Sequence, residues 1–126
     1  FTGISNIVNG QPTAITSSTI NKYGNVVTHT LGTSNITIGP GVWDIAASIN
    51  WAATPGGNRI VSITGSNNTL WASNSMAATN ATRNVQQVNW IGKIDQQTDL
   101  QVICEASQNS PTIPNLLSNI GLYKLA

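Results

Sequence analysis

The stretch Gly39-Pro40-Gly41-Val42-Trp43-Asp44-Ile45-Ala46-Ala47-Ser48-Ile49-Asn50-Trp51 decides how this chain folds. Gly39-Pro40-Gly41 rejects both a helix and a central strand, because proline lacks an amide donor and fixes its own φ. Beyond it, Trp43, Ile45, Ala47, Ile49 and Trp51 alternate with Val42, Asp44, Ala46, Ser48 and Asn50. A period of two places the first set on one face of a β-strand and the second set on the other. The first face is wholly apolar and belongs to a core. The second is mixed and faces outward.

The same grammar recurs on both sides of this strand. Upstream, residues 1–8, 13–16, 25–31 and 34–38 read as strands, and Asn9-Gly10 closes the first with a strong turn dipeptide. Downstream, Pro55-Gly56-Gly57 turns the chain into a strand at 59–64. Gly65-Ser66-Asn67-Asn68 then makes a hairpin turn to a partner at 69–72. Residues 73–82 are small and polar and read as a loop, with one helical turn allowed at Met76-Ala77-Ala78. Strands follow at 83–94, 99–106 and 119–125, with a proline-bearing loop at 108–114. Short strands with turn signals every ~8–12 residues predict a sandwich or barrel. The expected core contains Trp43, Ile45, Ile49, Ile60, Val102, Cys104 and Leu122.

Composition narrows the function classes. The chain has 126 residues, enough for one domain, with no internal repeat or linker. Charged residues make up 7%, against ~25% in ordinary soluble domains. Asn, Ser and Thr fill about a third of the sequence, so the surface hydrogen-bonds through amides and hydroxyls rather than ions. The five basic residues, Lys22, Arg59, Arg83, Lys93 and Lys124, are scattered. Phosphate backbones are held by clustered cations, so no nucleic-acid partner is expected. No apolar run approaches the ~20 residues of a membrane-spanning helix, and no membrane insertion is expected. Cys104 is the only cysteine and lies in an apolar strand, where it acts as a small hydrophobe.

Several motifs together carry a family resemblance. Gly39-Pro40-Gly41-Val42-Trp43-Asp44-Ile45 resembles the central signature of the TNF/C1q-like family, where a strand ends at glycine and the next reads Gly-x-aromatic-x-large apolar. The hairpin across 59–71 and the paired strands across 90–102 resemble the next family elements in order. The turn between the paired strands keeps Asp99 but lacks the family's usual glycine. Asn119-Ile120-Gly121-Leu122-Tyr123-Lys124-Leu125-Ala126 resembles the family's terminal strand. The resemblance implies an all-β jelly-roll sandwich of about ten antiparallel strands, assembled as a homotrimer, without catalysis or cofactor. The low charge and Asn/Thr richness are similar to viral, phage or bacterial surface members, such as trimeric spike heads of tailless membrane-containing phages. An extracellular or virion-surface location follows from that likeness. The 126 residues would then be one head domain, the C-terminal part of a longer spike, fibre or stalked protein.

Individual residues offer little catalytic chemistry. The carboxylates are Asp44, Asp95, Asp99 and Glu105, and the only histidine is His29. Glycoside hydrolysis needs two facing carboxyl groups, and a hydrolase triad needs a nucleophile and an orienting acid beside the histidine. Asp95 and Asp99 flank a turn, which makes a thin calcium candidate against the simpler reading of solvated turn acids. Asn35-Ile36-Thr37, Asn67-Asn68-Thr69 and Asn80-Ala81-Thr82 match the N-glycosylation triplet, which arises by chance in such a composition. The expected trimer interface is Asp44, Ala46, Ser48, Asn119 and Tyr123, the outward positions of the two strands that the family places at its axis. Trp51, Asn67, Asn68 and Trp71 are candidate ligand contacts, because a tryptophan beside asparagines is a usual sugar platform. For each tryptophan, buried packing is the favoured reading. The expected function is a non-enzymatic trimeric head for attachment to a cell-surface receptor or glycan. The alternatives are a carbohydrate-binding lectin and a structural trimerisation cap.

Overall fold

The computed structural model describes residues 13–15, 27–29, 33–51, 57–77, 84–107 and 118–126. Expectations for residues 1–8, the Asn9-Gly10 turn, Pro55-Gly56, the Asn80-Ala81-Thr82 triplet and the loop at 108–114 lie outside them. Nine strands are described: β1 (Thr13–Ala14), β2 (Val27–His29), β3 (Ile36–Ile38), β4 (Gly41–Trp51), β5 (Asn58–Thr64), β6 (Leu70–Ala77), β7 (Asn84–Ile94), β8 (Thr98–Ala106) and β9 (Asn119–Lys124). All pairings are antiparallel. One sheet runs β2-β3-β8-β5-β6, with β1 also paired to β8, and the other runs β7-β4-β9.

β4 is the centre of the smaller sheet, and its alternation is the one the sequence predicts through Ile49; Asn50, expected outward, is buried, with its N–H donating to Ser118 Oγ at 3.0 Å. Trp43, Ile45, Ala47, Ile49 and Trp51 are all buried. The facing sheet supplies Ile36, Ile38, Val61, Ile63, Leu100, Val102, Cys104 and Ala106 to the same cluster. Ile120 and Leu122 of β9 are only partly buried but pack against it. Burial pushes the Cys104 thiol far above its ordinary pKa, which leaves it a neutral packing group.

The structure corrects three expectations. First, Ile60 is outside the buried core. β5 turns Arg59, Val61 and Ile63 inward instead, and Arg59 is 2% exposed. The arginine is tolerated inside because its guanidinium lies 5.1 Å from the Trp51 ring centroid, in cation–π contact. Burial lowers its pKa. Second, residues 73–77 are strand rather than loop, and no helical turn forms at Met76-Ala77. β6 pairs with β5 out to Asn58↔Ala77. Its polar side chains suit an edge strand whose stability comes from backbone pairing and contacts such as Ser62 Oγ to Ser73 Oγ at 3.1 Å. Third, Trp51 is fully buried and cannot serve as a ligand contact. Its Nε1 donates to Gln86 Oε1 at 3.0 Å.

Gln86 joins the two sheets along one side. Its Nε2 donates to the carbonyls of Arg59 at 3.0 Å and Asn74 at 2.6 Å. Asn74 Nδ2 in turn donates to the Gln87 carbonyl. Edge strand β6 is thereby tied to edge strand β7 by side chains rather than by a ladder. A buried amide whose donors are both used costs little and holds its neighbours in register.

Candidate functional site

The outward face of β7-β4-β9 is built by register. From Trp43 to Ser48 each β4 residue has a partner on both β7 and β9, so the face consists of rows. Lys93–Val42–Leu125 form the first, with Leu125 N–H donating to the Val42 carbonyl at 2.7 Å. Ile91–Asp44–Tyr123, Asn89–Ala46–Gly121 and Gln87–Ser48–Asn119 follow, and Val85–Asn50 ends the series. The five residues expected at a trimer interface, Asp44, Ala46, Ser48, Asn119 and Tyr123, therefore lie together on one face. Strand β7 adds Val85 and Ile91, which the sequence reading passed over. Their signal was present as the alternation Val85, Gln87, Asn89, Ile91, but it acquires meaning only once β7 is placed beside β4.

The apolar content of this face is out of proportion. Five large apolar side chains are exposed among the described residues: Leu70, Val85, Ile91, Tyr123 and Leu125. All but Leu70 are on this face, with Ile91 at 62% and Tyr123 at 65% exposure on either side of Asp44. Scattered exposed apolar residues need no explanation, but clustering on one face of one sheet marks an interaction surface. Tyr123 is laid down along its strand: a Cβ at Gly121 would come within 3.0 Å of its ring. Asp44 and Lys93 are the only charged side chains in these rows. Lys93 Nζ is 3.3 Å from Asp95 Oδ1, in a pair open to solvent.

The second group of candidates lies at the β5–β6 turn. Asn67 and Asn68 are exposed on a short 3-10 turn and hold positive φ of 59° and 57°, a conformation asparagine tolerates better than most residues. Trp71 follows as the extra residue of a β-bulge, since Ile63 pairs with Ala72 and Thr64 with Leu70. The bulge turns its indole onto Trp90 of β7, with centroids 4.4 Å apart and planes 20° apart. Trp71 and Trp90 are half-buried and each gives a ring face to the other, while Trp43 and Trp51 are buried. Gly65 and Gly92 make room for the pair: a Cβ would come within 2.3 Å of Trp71 and 2.2 Å of Trp90 respectively. Gly92→Ala should displace Trp90, cost about 1–3 kcal/mol by overpacking, and abolish the stacked-indole signal in circular dichroism. An unchanged spectrum and melting curve would contradict this packing.

The acids do not converge. Asp44 is on the outward face of the small sheet, and Asp95 is in the turn between β7 and β8. Asp99 accepts from Thr37 Oγ1 on its neighbouring strand, and Glu105 pairs in register with Ile60. Among the described residues, no group of three His, Cys, Asp or Glu is placed to hold a metal ion, and no helix is long and apolar enough to cross a membrane. The side-chain surroundings of His29 lie outside what is described; its backbone pairs with Ile36.

No family model and no curated protein matches the chain. Among solved structures, murine APRIL at pH 5.0 superposes with a TM-score of 0.70 over 98% of this chain and 98% of that one, at 8% identity. An arabinose-bound α-L-arabinofuranosidase superposes at 0.41 with 13% identity, over 95% of this chain and 23% of that one, too remote to argue from. At 8% identity the likeness to APRIL concerns the path of the backbone alone. This chain is an all-β, two-sheet sandwich with a TNF-like jelly-roll fold.

Proposed function

We propose that the protein is a non-enzymatic head domain that associates with copies of itself, as a homotrimer, and presents its polar loops and edges for attachment to a receptor or glycan. The observation that carries this reading is the group of exposed apolar side chains Ile91, Tyr123 and Leu125 on the outward face of β7-β4-β9, with Val85 three rows away on the same face. Covering such a face with a second copy removes it from water at roughly 25 cal/mol per Å². The number three comes from the fold resemblance. Assembly holds several copies of each loop rigidly, so weak single contacts add through effective concentration. A spike or particle surface is the proposed setting, given the low charge and hydroxyl-rich coat.

The dispersed carboxylates support an absence of catalysis. The mutual stacking of Trp71 and Trp90 favours attachment or assembly over a lectin built on an open indole. Light scattering of the purified protein at micromolar concentration tests the assembly, with a trimer expected. A mass equal to one chain would refute it. A glycan array and a competition assay on intact cells then separate lectin, attachment head and structural cap.

A further inference from the structure

We infer that self-association through this face depends on an ion pair between subunits, Asp44 of one copy with Lys93 of the next. The inference rests on the self-association proposed above and adds what selects the partner. Asp44 is half-buried at the centre of the exposed apolar cluster, with Ile91 and Tyr123 as its direct cross-strand neighbours. No ion pair engages it among the described residues. Covering the cluster with a second copy would strip water from this carboxylate. An ionised group buried among apolar side chains without a cation is strongly destabilising, so the interface must supply one.

Three basic side chains are present among the described residues. Lys124 has the opposite parity to Tyr123 and runs its stem over Gly41, where a Cβ would meet its Cε at 2.5 Å. Arg59 is buried over Trp51. Lys93 remains, on the same outward face as Asp44 but one row away. Its ammonium is directed at Asp95, further from the Ile91–Asp44 row, with the two side chains 72% and 80% exposed. An exposed pair of this kind holds its partners weakly, so Lys93 is available to a neighbouring molecule. The face thus carries one anion and one cation, offset from each other. A second copy rotated about a symmetry axis can present its cation to the first copy's anion. Such pairing selects register and rejects misaligned copies, for which two like charges would meet.

Association is measured by sedimentation of wild type, Asp44→Asn, Lys93→Gln, Asp44→Lys, Lys93→Asp and the double swap, with folding checked by circular dichroism. The neutral variants are near-isosteric and should fold normally. Each single change is expected to weaken association about 30-fold or more. The double swap should restore it to within about tenfold of wild type, because the same pair is rebuilt with reversed sign. Neutral variants that associate as wild type does, or a folded double swap that stays apart, would each overturn the ion pair. These outcomes would leave self-association standing. A monomeric wild type overturns both.

Discussion

Trp51→Ala is expected to leave the protein largely unfolded at physiological temperature. Three losses coincide at this residue. The indole is 0% exposed, so its removal creates a large cavity, and Trp→Ala changes in cores cost about 3–5 kcal/mol. Gln86 Oε1 loses its donor inside a buried network, which adds about 1–3 kcal/mol. Arg59 loses the ring that makes its burial tolerable. A sum of about 5 kcal/mol or more matches the whole stability of many domains of this size. Urea denaturation followed by far-ultraviolet circular dichroism gives the measurement. Trp51→Phe is the control: it keeps a ring under Arg59 but removes the Nε1 donor, and should cost about half as much. A Trp51→Ala protein with a near wild-type midpoint would mean that the Trp51–Gln86–Arg59 cluster does not hold the sheets together.

Tyr123→Asp is expected to abolish assembly while sparing the fold. Tyr123 is 65% exposed, so its replacement leaves no cavity in the subunit. The new carboxylate would stand directly across from Asp44, and like charges opposite each other on a sheet cost up to ~1 kcal/mol in the isolated chain. At an interface the cost is far larger, because a second anion without a cation of its own would be desolvated beside Asp44 in every subunit. The aromatic anchor would be lost as well, and residues of this kind carry much of an interface's binding energy. Light scattering should report a single chain, and the melting temperature of that monomer should be independent of its concentration. A Tyr123→Asp protein that assembles as wild type does would move the interface to another surface of the sandwich. An exposed substitution on the opposite sheet, Ser75→Asp, should change neither mass nor melting.

The parts of the fold that were readable from the chain are those in which one strand carries its own pattern. β4 is legible because five apolar residues alternate with five mixed ones, and the choice of face follows without knowledge of any neighbour. β6 was not, beyond its first residues. Ser73, Asn74 and Ser75 have no hydrophobic alternation, because an edge strand with exposed side chains is held by the amides of β5. β5 misled for a related reason. Ile60 is a better core residue than Arg59 by any scale of hydrophobicity, but Val61 and Ile63 share a face with the arginine. Two well-buried aliphatic residues outweigh one, provided that the guanidinium finds a ring to lie on.

The candidate site divides the same way. Parity along β4 and β9 was enough to name Asp44, Ala46, Ser48, Asn119 and Tyr123 as outward, since alternation is a property of a single strand. That these residues form one surface, that Val85 and Ile91 complete it, and that Lys93 sits one row from Asp44 depend on register between strands far apart in sequence. Register is set by the summed packing of all inward residues and is written in no single segment. The fate of the tryptophans shows the same limit. Trp51 stands on the apolar face of β4 but at its end, where the sequence favours burial yet leaves a ligand contact open. Its burial comes from Gln86 and Arg59, two polar residues on other strands that close over it. The alternation of an isolated strand is local stereochemistry, fixed before any tertiary contact forms. Which outward face remains apolar, and which polar groups become part of the core, is decided when the two sheets meet.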